Sequence, residues 1–184
     1  DRLARALERM GARFLQTYGQ TEAGVLVSVL DDADHERGLN GEPQLLRSCG
    51  RAMVGYDIRL VDDEGRPARE IGELAVRADS LMTGYFKRPA DTAATLVDGW
   101  LRTGDLGWQD DEGRFYLVDR KKDLIVSGGE NVYPIEIEHV LSSHPDVLDV
   151  AVIGVPDDRW GESVKAVVVM RPGAAADEGG LIAH

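Results

Sequence analysis

Residues 18–24, Tyr-Gly-Gln-Thr-Glu-Ala-Gly, carry side chains that could hold a phosphorylated ligand. Thr21 offers a hydroxyl and a backbone N–H to a phosphoryl oxygen, and Glu22 offers a carboxylate, a hard oxygen ligand for Mg²⁺. Tyr18 presents a flat ring to a base, and the flanking glycines let a ligand approach the backbone closely. Taken alone, the segment could equally be an ordinary turn after a strand. The chain contains no GxxxxGK[ST] phosphate loop.

Asp105 ends a second candidate segment, residues 99–105, Gly-Trp-Leu-Arg-Thr-Gly-Asp. A carboxylate that follows a glycine after a tight turn can accept hydrogen bonds from two neighbouring hydroxyls, as acidic residues do when they hold a ribose. The alternative is an aspartate that only organises its own turn.

Two more segments lie in the second half of the chain. In residues 119–123, Asp-Arg-Lys-Lys-Asp, Arg120 could pair with a phosphate or hydrogen-bond a sugar, unless the run is a solvated linker. In residues 127–131, Ser-Gly-Gly-Glu-Asn, two glycines allow a tight loop and close passage of a thin ligand, or only a turn between a strand and a helix. The four histidines have no metal-ligand spacing with each other or with Cys49, so a zinc site is not indicated.

Hydrophobic period and turn residues predict the elements that position these segments. In the first half, the pattern predicts a helix over 1–10, a short strand over 13–18, another apolar segment over 25–30 and a long irregular loop over 31–50. An antiparallel β unit follows over 50–120, with a short helix over 89–97. Beyond it we expect a strand over 124–126, a helix from Pro134 to about 142, and strands over 147–155 and 164–170.

The composition is that of an ordinary globular protein. The chain has 184 residues, 43% of them apolar, and 21 Lys and Arg against 33 Asp and Glu give a net charge of −12. This negative charge disfavours binding to nucleic acid or to a membrane surface. Cys49 is the one cysteine, which fits a reducing, cytoplasmic location, and we expect a half-buried or surface thiol. No apolar run is long enough to predict a transmembrane segment.

Taken in order, the candidate segments resemble the adenylate-forming superfamily and, within it, the acyl-CoA synthetases. The motifs that carry the resemblance are Tyr-Gly-Gln-Thr-Glu-Ala-Gly at 18–24, Gly-Trp-Leu-Arg-Thr-Gly-Asp at 99–105, Gly-Arg-Phe-Tyr at 113–116, Asp-Arg-Lys-Lys-Asp-Leu-Ile at 119–125 and Ser-Gly-Gly-Glu-Asn-Val-Tyr-Pro-Ile-Glu-Ile-Glu at 127–138. Each motif alone is weak, but their order is specific and covers essentially the whole chain.

The resemblance implies a two-step reaction on a carboxylic acid. The acid first reacts with ATP to give an acyl-adenylate and pyrophosphate, and coenzyme A then takes the acyl group after the C-terminal domain rotates. By position, the implied roles are Tyr18, Gly19, Gln20 and Thr21 along the adenylate, with Thr21 near its phosphate; Glu22 on Mg²⁺; Asp105 and Arg120 on the ribose; Lys122 at the hinge; and Gly128, Gly129 and Glu130 at the pantetheine channel. The catalytic candidates are therefore Thr21, Glu22 and Lys122.

The fold implied by the resemblance is mixed α/β. We expect the tail of a large α/β subdomain over 1–49, a small antiparallel β-barrel-like subdomain over 50–121, and a truncated α+β C-terminal domain over 122–184. The chain lacks an initial Met and ends in what resembles a new helix, so we interpret it as part of a longer protein. The family's phosphate-gripping loop would precede Asp1 and its adenylation lysine would follow His184, so we expect residues 1–184 alone to be inactive in adenylation.

The form of residues 127–138 is similar to that of fatty-acyl-CoA ligases, with a small carboxylic acid and coenzyme A as partners. Two alternatives stay open: an adenylation enzyme that loads a carrier protein, and a noncatalytic module that binds a nucleotide or dimerises. Residues 1–49 would expose apolar surface without the rest of their subdomain, which leaves room for a homodimer. The acyl chain length is not indicated, because most of the acyl pocket would lie upstream.

Overall fold

The computed structural model describes residues 5–6, 9–10 and 13–184 and divides the chain into two compact units, Asp1–Leu117 and Val118–His184. The fold is mixed α/β, as the sequence predicts, and it contains three antiparallel sheets. Residues 5–6 and 9–10 are helical, and the rest of the helix predicted over 1–10 lies outside the described residues. None of the described helices is long and apolar enough to cross a membrane.

The strands are β1 (Gln16–Gln20), β2 (Gly24–Leu30), β3 (Arg51–Ala52), β4 (Asp57–Val61), β5 (Gly72–Arg77), β6 (Leu96–Val97), β7 (Trp100–Gln109), β8 (Phe115–Arg120), β9 (Ile125–Ser127), β10 (Glu130–Val132), β11 (Val147–Asp157) and β12 (Gly161–Met170). The helices are α1 (Asp32–Leu39), α2 (Pro89–Thr95), α3 (Pro134–Ser142) and α4 (Glu178–Ile182), and short 3-10 turns lie at Thr21–Ala23, Pro43–Arg47 and Lys121–Asp123.

The first sheet has the order β1-β2-β3, and its first two strands form a tight hairpin. The predicted loop over 18–24 is therefore wrong in detail, because β1 continues to Gln20 and the 3-10 turn Thr21–Ala23 leads directly into β2. Gly19 allows this closeness, since a Cβ built there would lie 2.4 Å from the carbonyl oxygen of Val25. The strand predicted over 13–18 lies two to three residues later than expected.

The irregular loop predicted over 31–50 is also wrong, because it contains α1 and a 3-10 turn. Asp31 caps α1, its side chain accepting a hydrogen bond from the N–H of Asp34 at 2.9 Å. The helix is short and polar, so its sequence has no apolar periodicity from which a helix could be predicted.

A buried ion-pair network explains why this polar helix holds its place. The guanidinium of Arg114, only 1% exposed, donates to Asp34 at 2.8 Å, and Arg51 donates to the other oxygen of Asp34 at 2.7 Å. Arg114 also donates to Glu112 at 2.7 Å and to Asp110 at 3.1 Å. The network therefore joins α1, β3 and the turn between β7 and β8.

The second sheet has the order β4-β5-β7-β6, with β8 paired to β7, and confirms the predicted antiparallel β unit. The β4–β5 hairpin pairs Asp57 with Arg77 and Val61 with Glu73. In this sheet, Leu74 and Val76 of β5 and Leu101 of β7 are completely buried. The helix predicted over 89–97 ends earlier, as α2 and then β6.

Phe115 joins the two sheets of the first unit. Its carbonyl accepts hydrogen bonds from Cys49 N at 2.9 Å and from Ser48 Oγ at 3.0 Å, and its N–H donates to Gly50 O at 2.9 Å. Cys49 is consequently buried, with 6% exposed, where a half-buried or surface thiol was expected. Burial raises the pKa of this thiol.

The second unit contains the sheet β10-β9-β12-β11 with α3 packed on β11. The long β11–β12 hairpin pairs Val147 with Met170 at one end and Asp157 with Gly161 at the other. Pro134 opens α3 as predicted, and Glu138 on this helix accepts from Val152 N at 2.8 Å. The compact units divide after Leu117, and the domain limits predicted at 49 and 121 stay predictions.

We expect Arg114→Met to destabilise the first unit by about 3 kcal/mol. Breaking a buried ion pair typically costs 3–5 kcal/mol, and Arg51 still faces Asp34, which places the cost near the lower limit. Hydrogen exchange of the β2 and α1 amides measures this loss. The control is Arg66→Met, which removes an exposed pair with Asp62 and costs below about 1 kcal/mol. Equal costs for the two variants would contradict the structural role of the network.

The stability difference between wild type and Arg114→Met depends on pH. Burial opposes ionisation of Asp34, but hydrogen bonds from Arg114 and Arg51 outweigh it and hold the pKa of its carboxyl below the ordinary value. The pairs thus stabilise the fold above about pH 4, and this contribution is lost as the pH falls through the lowered pKa. The difference between wild type and Arg114→Met should therefore shrink on acidification.

Candidate functional site

Two candidate residues from distant segments meet directly in the first unit. The hydroxyl of Tyr18, on β1, donates to Asp105 Oδ2, on β7, at 2.6 Å. Asp105 is buried, with 6% of its surface exposed. Its N–H donates to Thr103 Oγ1 at 3.1 Å, and that hydroxyl donates to Leu74 O at 2.7 Å. The phenol therefore holds the carboxylate of Asp105, and Thr103 holds its backbone.

A bulge in β7 gives Asp105 its position. Glu73 on β5 pairs with Leu106, whereas Ala75 pairs with Arg102, so β7 contains two extra residues between these pairs. Glu73 stabilises the bulge by accepting from Gly104 N at 3.0 Å and from Arg102 at 2.7 Å. Bulges turn side chains away from the regular ladder, which accounts for the orientation of Asp105.

Tyr18 is a fixed hydrogen-bond donor at neutral pH. Burial and then the hydrogen bond to the Asp105 carboxylate raise the pKa of its phenol far above the ordinary value. The protonated hydroxyl thus donates to Asp105 without changing the charge of the pair.

The turn that carries Thr21 and Glu22 is held from three sides. Met82 N donates to Glu22 O at 2.8 Å, Tyr56 OH donates to Ala23 O at 3.0 Å, and Tyr85 OH donates to Glu22 Oε1 at 3.0 Å. Thr21 is exposed at the tip of the turn, and Glu22 is half-buried. No sequence motif marks Tyr85, which lies in a loop 63 residues from Glu22.

Glu22 suits a hard cation. Its carboxylate takes one hydrogen bond from Tyr85, and no cationic side chain pairs with it among the residues that the structure describes. Within this part of the chain, no group of three or more His, Cys, Asp or Glu residues could hold a metal ion. Magnesium ions are commonly bound by one or two carboxylates together with substrate phosphates and water, and Glu22 fits that pattern.

The remaining candidates lie in the second unit. Arg120 and Lys122 are exposed, and Lys122 lies in the 3-10 turn Lys121–Asp123. Asp119 accepts from Arg120 N at 2.7 Å and from Ile135 N at 3.2 Å, so it connects this segment to the first turn of α3. The convergence of Arg120 with Glu22 and Asp105 on one ligand stays a prediction.

Gly128 and Gly129 form the two-residue turn of the β9–β10 hairpin rather than a loop before a helix. Both have positive φ, 62° and 87°, which suits this kind of hairpin turn. Gly128 N donates to Trp160 O at 2.8 Å, and a Cβ at Gly128 would lie 2.8 Å from the Trp160 ring. Gly129 faces open space, and Glu130 is exposed.

Comparison with known proteins agrees with the resemblance seen in the motifs. The family model for AMP-binding enzymes matches residues 1–86, and the model for the AMP-binding enzyme C-terminal domain matches residues 136–184. The chain belongs to the family of AMP-binding enzymes. The predicted membership of the adenylate-forming superfamily is therefore confirmed, while the role of each site residue stays a prediction.

Similar proteins include several ligases. The medium/long-chain-fatty-acid–CoA ligase FadD8 of Mycobacterium tuberculosis is 46% identical over 179 residues, covering 96% of this chain and 30% of that protein. A feruloyl-CoA synthase of an Amycolatopsis species is 44% identical, covering 100% of this chain and 36% of that protein. The chain thus spans about a third of the length of these relatives.

Solved structures show the same fold. The amide bond synthetase McbA from Marinactinospora thermotolerans matches with a TM-score of 0.82 and 42% identity, covering 99% of this chain and 37% of that one. The o-succinylbenzoate CoA synthetase MenE from Bacillus subtilis, in complex with its acyl-adenylate OSB-AMP, matches with a TM-score of 0.83 and 36% identity, covering 98% and 36%.

We expect Gly128→Ala to destabilise the second unit more than Gly129→Ala. Both substitutions strain a positive φ at a cost of about 1 kcal/mol, but only the first also drives a methyl group into Trp160, for about 1 kcal/mol more. Hydrogen exchange of β11 and β12 measures the stability, and Trp160 emission should shift only in Gly128→Ala. Equal effects would argue against the Trp160 contact.

Proposed function

We propose that the protein is part of an ATP-dependent acyl-CoA synthetase. The reaction converts a carboxylic acid, ATP and coenzyme A to acyl-CoA, AMP and pyrophosphate through an acyl-adenylate. The observation that carries this proposal is the hydrogen bond by which Tyr18, on the same hairpin as Glu22, holds Asp105 of β7, within a chain of the AMP-binding family. Such transfer depends on positioning and charge neutralisation, so it needs no nucleophilic side chain.

In the first step, the first unit holds the nucleotide. The ribose hydroxyls donate to the Asp105 carboxylate, which Tyr18 keeps oriented. Gln20 supports a ligand on this face, because its Nε2 is buried and no hydrogen bond reaches it among the described residues. Thr21 lies near the phosphate, and Gly19 lines the approach.

Glu22 holds Mg²⁺, which when bound neutralises charge on the phosphates. The B. subtilis MenE structure in complex with ATP and a magnesium ion, 35% identical to this chain, supports both ligands.

In the second step, the C-terminal unit turns about Lys122 and coenzyme A attacks the acyl carbon. Arg120 reaches the ribose, and the turn at Gly128 and Gly129, with Glu130 beside it, faces the pantetheine arm. A glycine turn suits this role, because it leaves room for a thin ligand. A two-step reaction with two nucleophiles at one site needs such a conformational change.

A carrier-protein-loading enzyme is the second candidate. The fatty acid–[acyl-carrier-protein] ligase ScoC of Streptomyces coeruleorubidus is 42% identical over 173 residues, covering 93% of this chain and 33% of that protein. Either enzyme would act in the cytoplasm, as the single cysteine suggests. We also propose that the protein self-associates as a homodimer. We also propose that residues 1–184 alone do not catalyse adenylation, because they span about a third of the relatives' length.

The test uses the longest product of the gene that encodes these residues. We expect AMP and acyl-CoA to form from ATP, coenzyme A and at least one acid in a panel of short, medium, long and aromatic acids. Release of pyrophosphate with acyl transfer only to a carrier protein would favour the second candidate. Nucleotide binding without pyrophosphate release on any acid would support a noncatalytic module and overturn the enzyme proposal.

We expect Asp105→Asn in this gene product to weaken AMP binding by about 1–2 kcal/mol, or roughly 5- to 30-fold in Kd. The substitution keeps the shape of the side chain but replaces an ionised acceptor by a neutral one, and hydrogen bonds to charged groups are the stronger kind. Isothermal titration calorimetry measures the affinity. Asp111→Asn, on the turn between β7 and β8, is the matched control. An unchanged affinity in Asp105→Asn would remove the ribose role.

We expect Lys122→Pro to slow thioester formation more than adenylation. Proline locks φ near −65°, so it restricts rotation at this position. Lys122→Ala is the control, because it removes the amine but leaves the backbone free to turn. Single-turnover kinetics of the two half-reactions separate the effects, and equal slowing of both by proline would argue against a hinge at Lys122.

A further inference from the structure

We infer that Tyr85 is a positioning residue for the metal-binding carboxylate of Glu22. The inference rests on the proposed function, in which Glu22 holds Mg²⁺, and goes beyond it by assigning a residue outside the recognised motifs. Tyr85 touches neither metal nor nucleotide in this role and acts only through Glu22.

The contact fixes one oxygen of the carboxylate. Tyr85 OH donates to Glu22 Oε1 at 3.0 Å, and Glu22 Oε2 receives no hydrogen bond from the described residues. The carboxylate plane is thereby set, while its second oxygen is left for a ligand. A phenol carries an O–H proton at neutral pH, so Tyr85 serves as a donor to the carboxylate.

Tyr85 lies in the segment that leads into α2 and is held in place by that helix. Its N–H donates to Thr92 Oγ1 at 2.9 Å, and that hydroxyl donates to Arg88 O at 2.8 Å within the first turn of α2. Three residues earlier, Met82 N donates to Glu22 O at 2.8 Å. The same short segment thus reaches Glu22 twice, once at the backbone and once at the side chain.

This double attachment is more than a loop anchor requires. The Met82 hydrogen bond alone ties the segment to the turn, so the Tyr85 hydroxyl adds the orientation of the carboxylate. Magnesium demands near-ideal octahedral geometry, and a ligand that rotates freely meets that demand poorly. Partners that orient metal ligands typically contribute 10- to 100-fold in metal affinity, which is the expected scale for Tyr85.

Tyr56 provides a matched control within the same turn. Its hydroxyl donates to Ala23 O at 3.0 Å, next to Glu22 in the chain, but does not reach the carboxylate. Loss of this hydroxyl perturbs the turn without changing the orientation of Glu22. Tyr85→Phe and Tyr56→Phe therefore separate positioning of the carboxylate from general support of the turn.

The experiment measures Mn²⁺ affinity, as a probe for Mg²⁺, by electron paramagnetic resonance in the longest gene product with a non-hydrolysable ATP analogue bound. We expect Tyr85→Phe to weaken Mn²⁺ binding about tenfold and to leave metal-free AMP affinity unchanged. Tyr56→Phe should leave Mn²⁺ affinity within about twofold of wild type. Unchanged AMP affinity also shows that the Tyr85→Phe site remains folded.

Glu22→Gln distinguishes failure of this inference from failure of the proposed function. If Glu22→Gln weakens Mn²⁺ binding and Tyr85→Phe does not, the positioning role is overturned while the metal role of Glu22 stands. If Glu22→Gln leaves Mn²⁺ affinity unchanged, the metal role fails and the inference fails with it. In the double variant, we expect Tyr85→Phe to add nothing to Glu22→Gln, and a full additional loss would show that Tyr85 acts elsewhere. If Tyr85→Phe and Tyr56→Phe weaken Mn²⁺ binding equally, both tyrosines only stabilise the turn, and the positioning role of Tyr85 is overturned.

Discussion

The hydrogen bond between Tyr18 and Asp105 is the contact on which the arrangement of the first unit depends. It joins β1 to β7, two strands of different sheets that lie 87 residues apart in the chain. A buried carboxylate is costly unless it is hydrogen-bonded, and the protonated phenol meets that requirement without adding a charge. The bulge that carries Asp105 and the hairpin that carries Tyr18 must therefore form together. Their contact places the motif at 18–24 beside Asp105.

A second buried contact keeps the surrounding frame rigid. Arg114 is almost fully enclosed and is neutralised by Asp34, so its charge can be buried only when α1 is folded against the β7–β8 turn. The Gly-Arg-Phe-Tyr segment that helped to identify the family thus has a structural use in this unit. Phe115, one residue later, joins the two sheets through Cys49 and Gly50.

The sequence predicts the elements whose signal is local. The antiparallel β unit over 50–120 and the start of α3 at Pro134 depend on residues whose conformational preferences are strong. The polar helix α1 could not be predicted in this way, because its stability comes from Arg114, 80 residues away from Asp34. Burial of Cys49 depends likewise on Phe115, a contact that no local pattern reveals.

The same limit applies to the candidate site and explains the kind of residue that was missed. Motif recognition finds Glu22, whereas Tyr85 reaches it through one side-chain hydrogen bond from 63 residues away. The chemistry of Tyr85 is nevertheless informative. A lysine at this place would neutralise Glu22 and compete with a cation, whereas a phenol orients the carboxylate and leaves its full negative charge. The chain has a net charge of −12, so the proposed binding of a polyanionic nucleotide would need a cation to balance the negative charge. A neutral donor beside Glu22 leaves the carboxylate charge available to attract that cation.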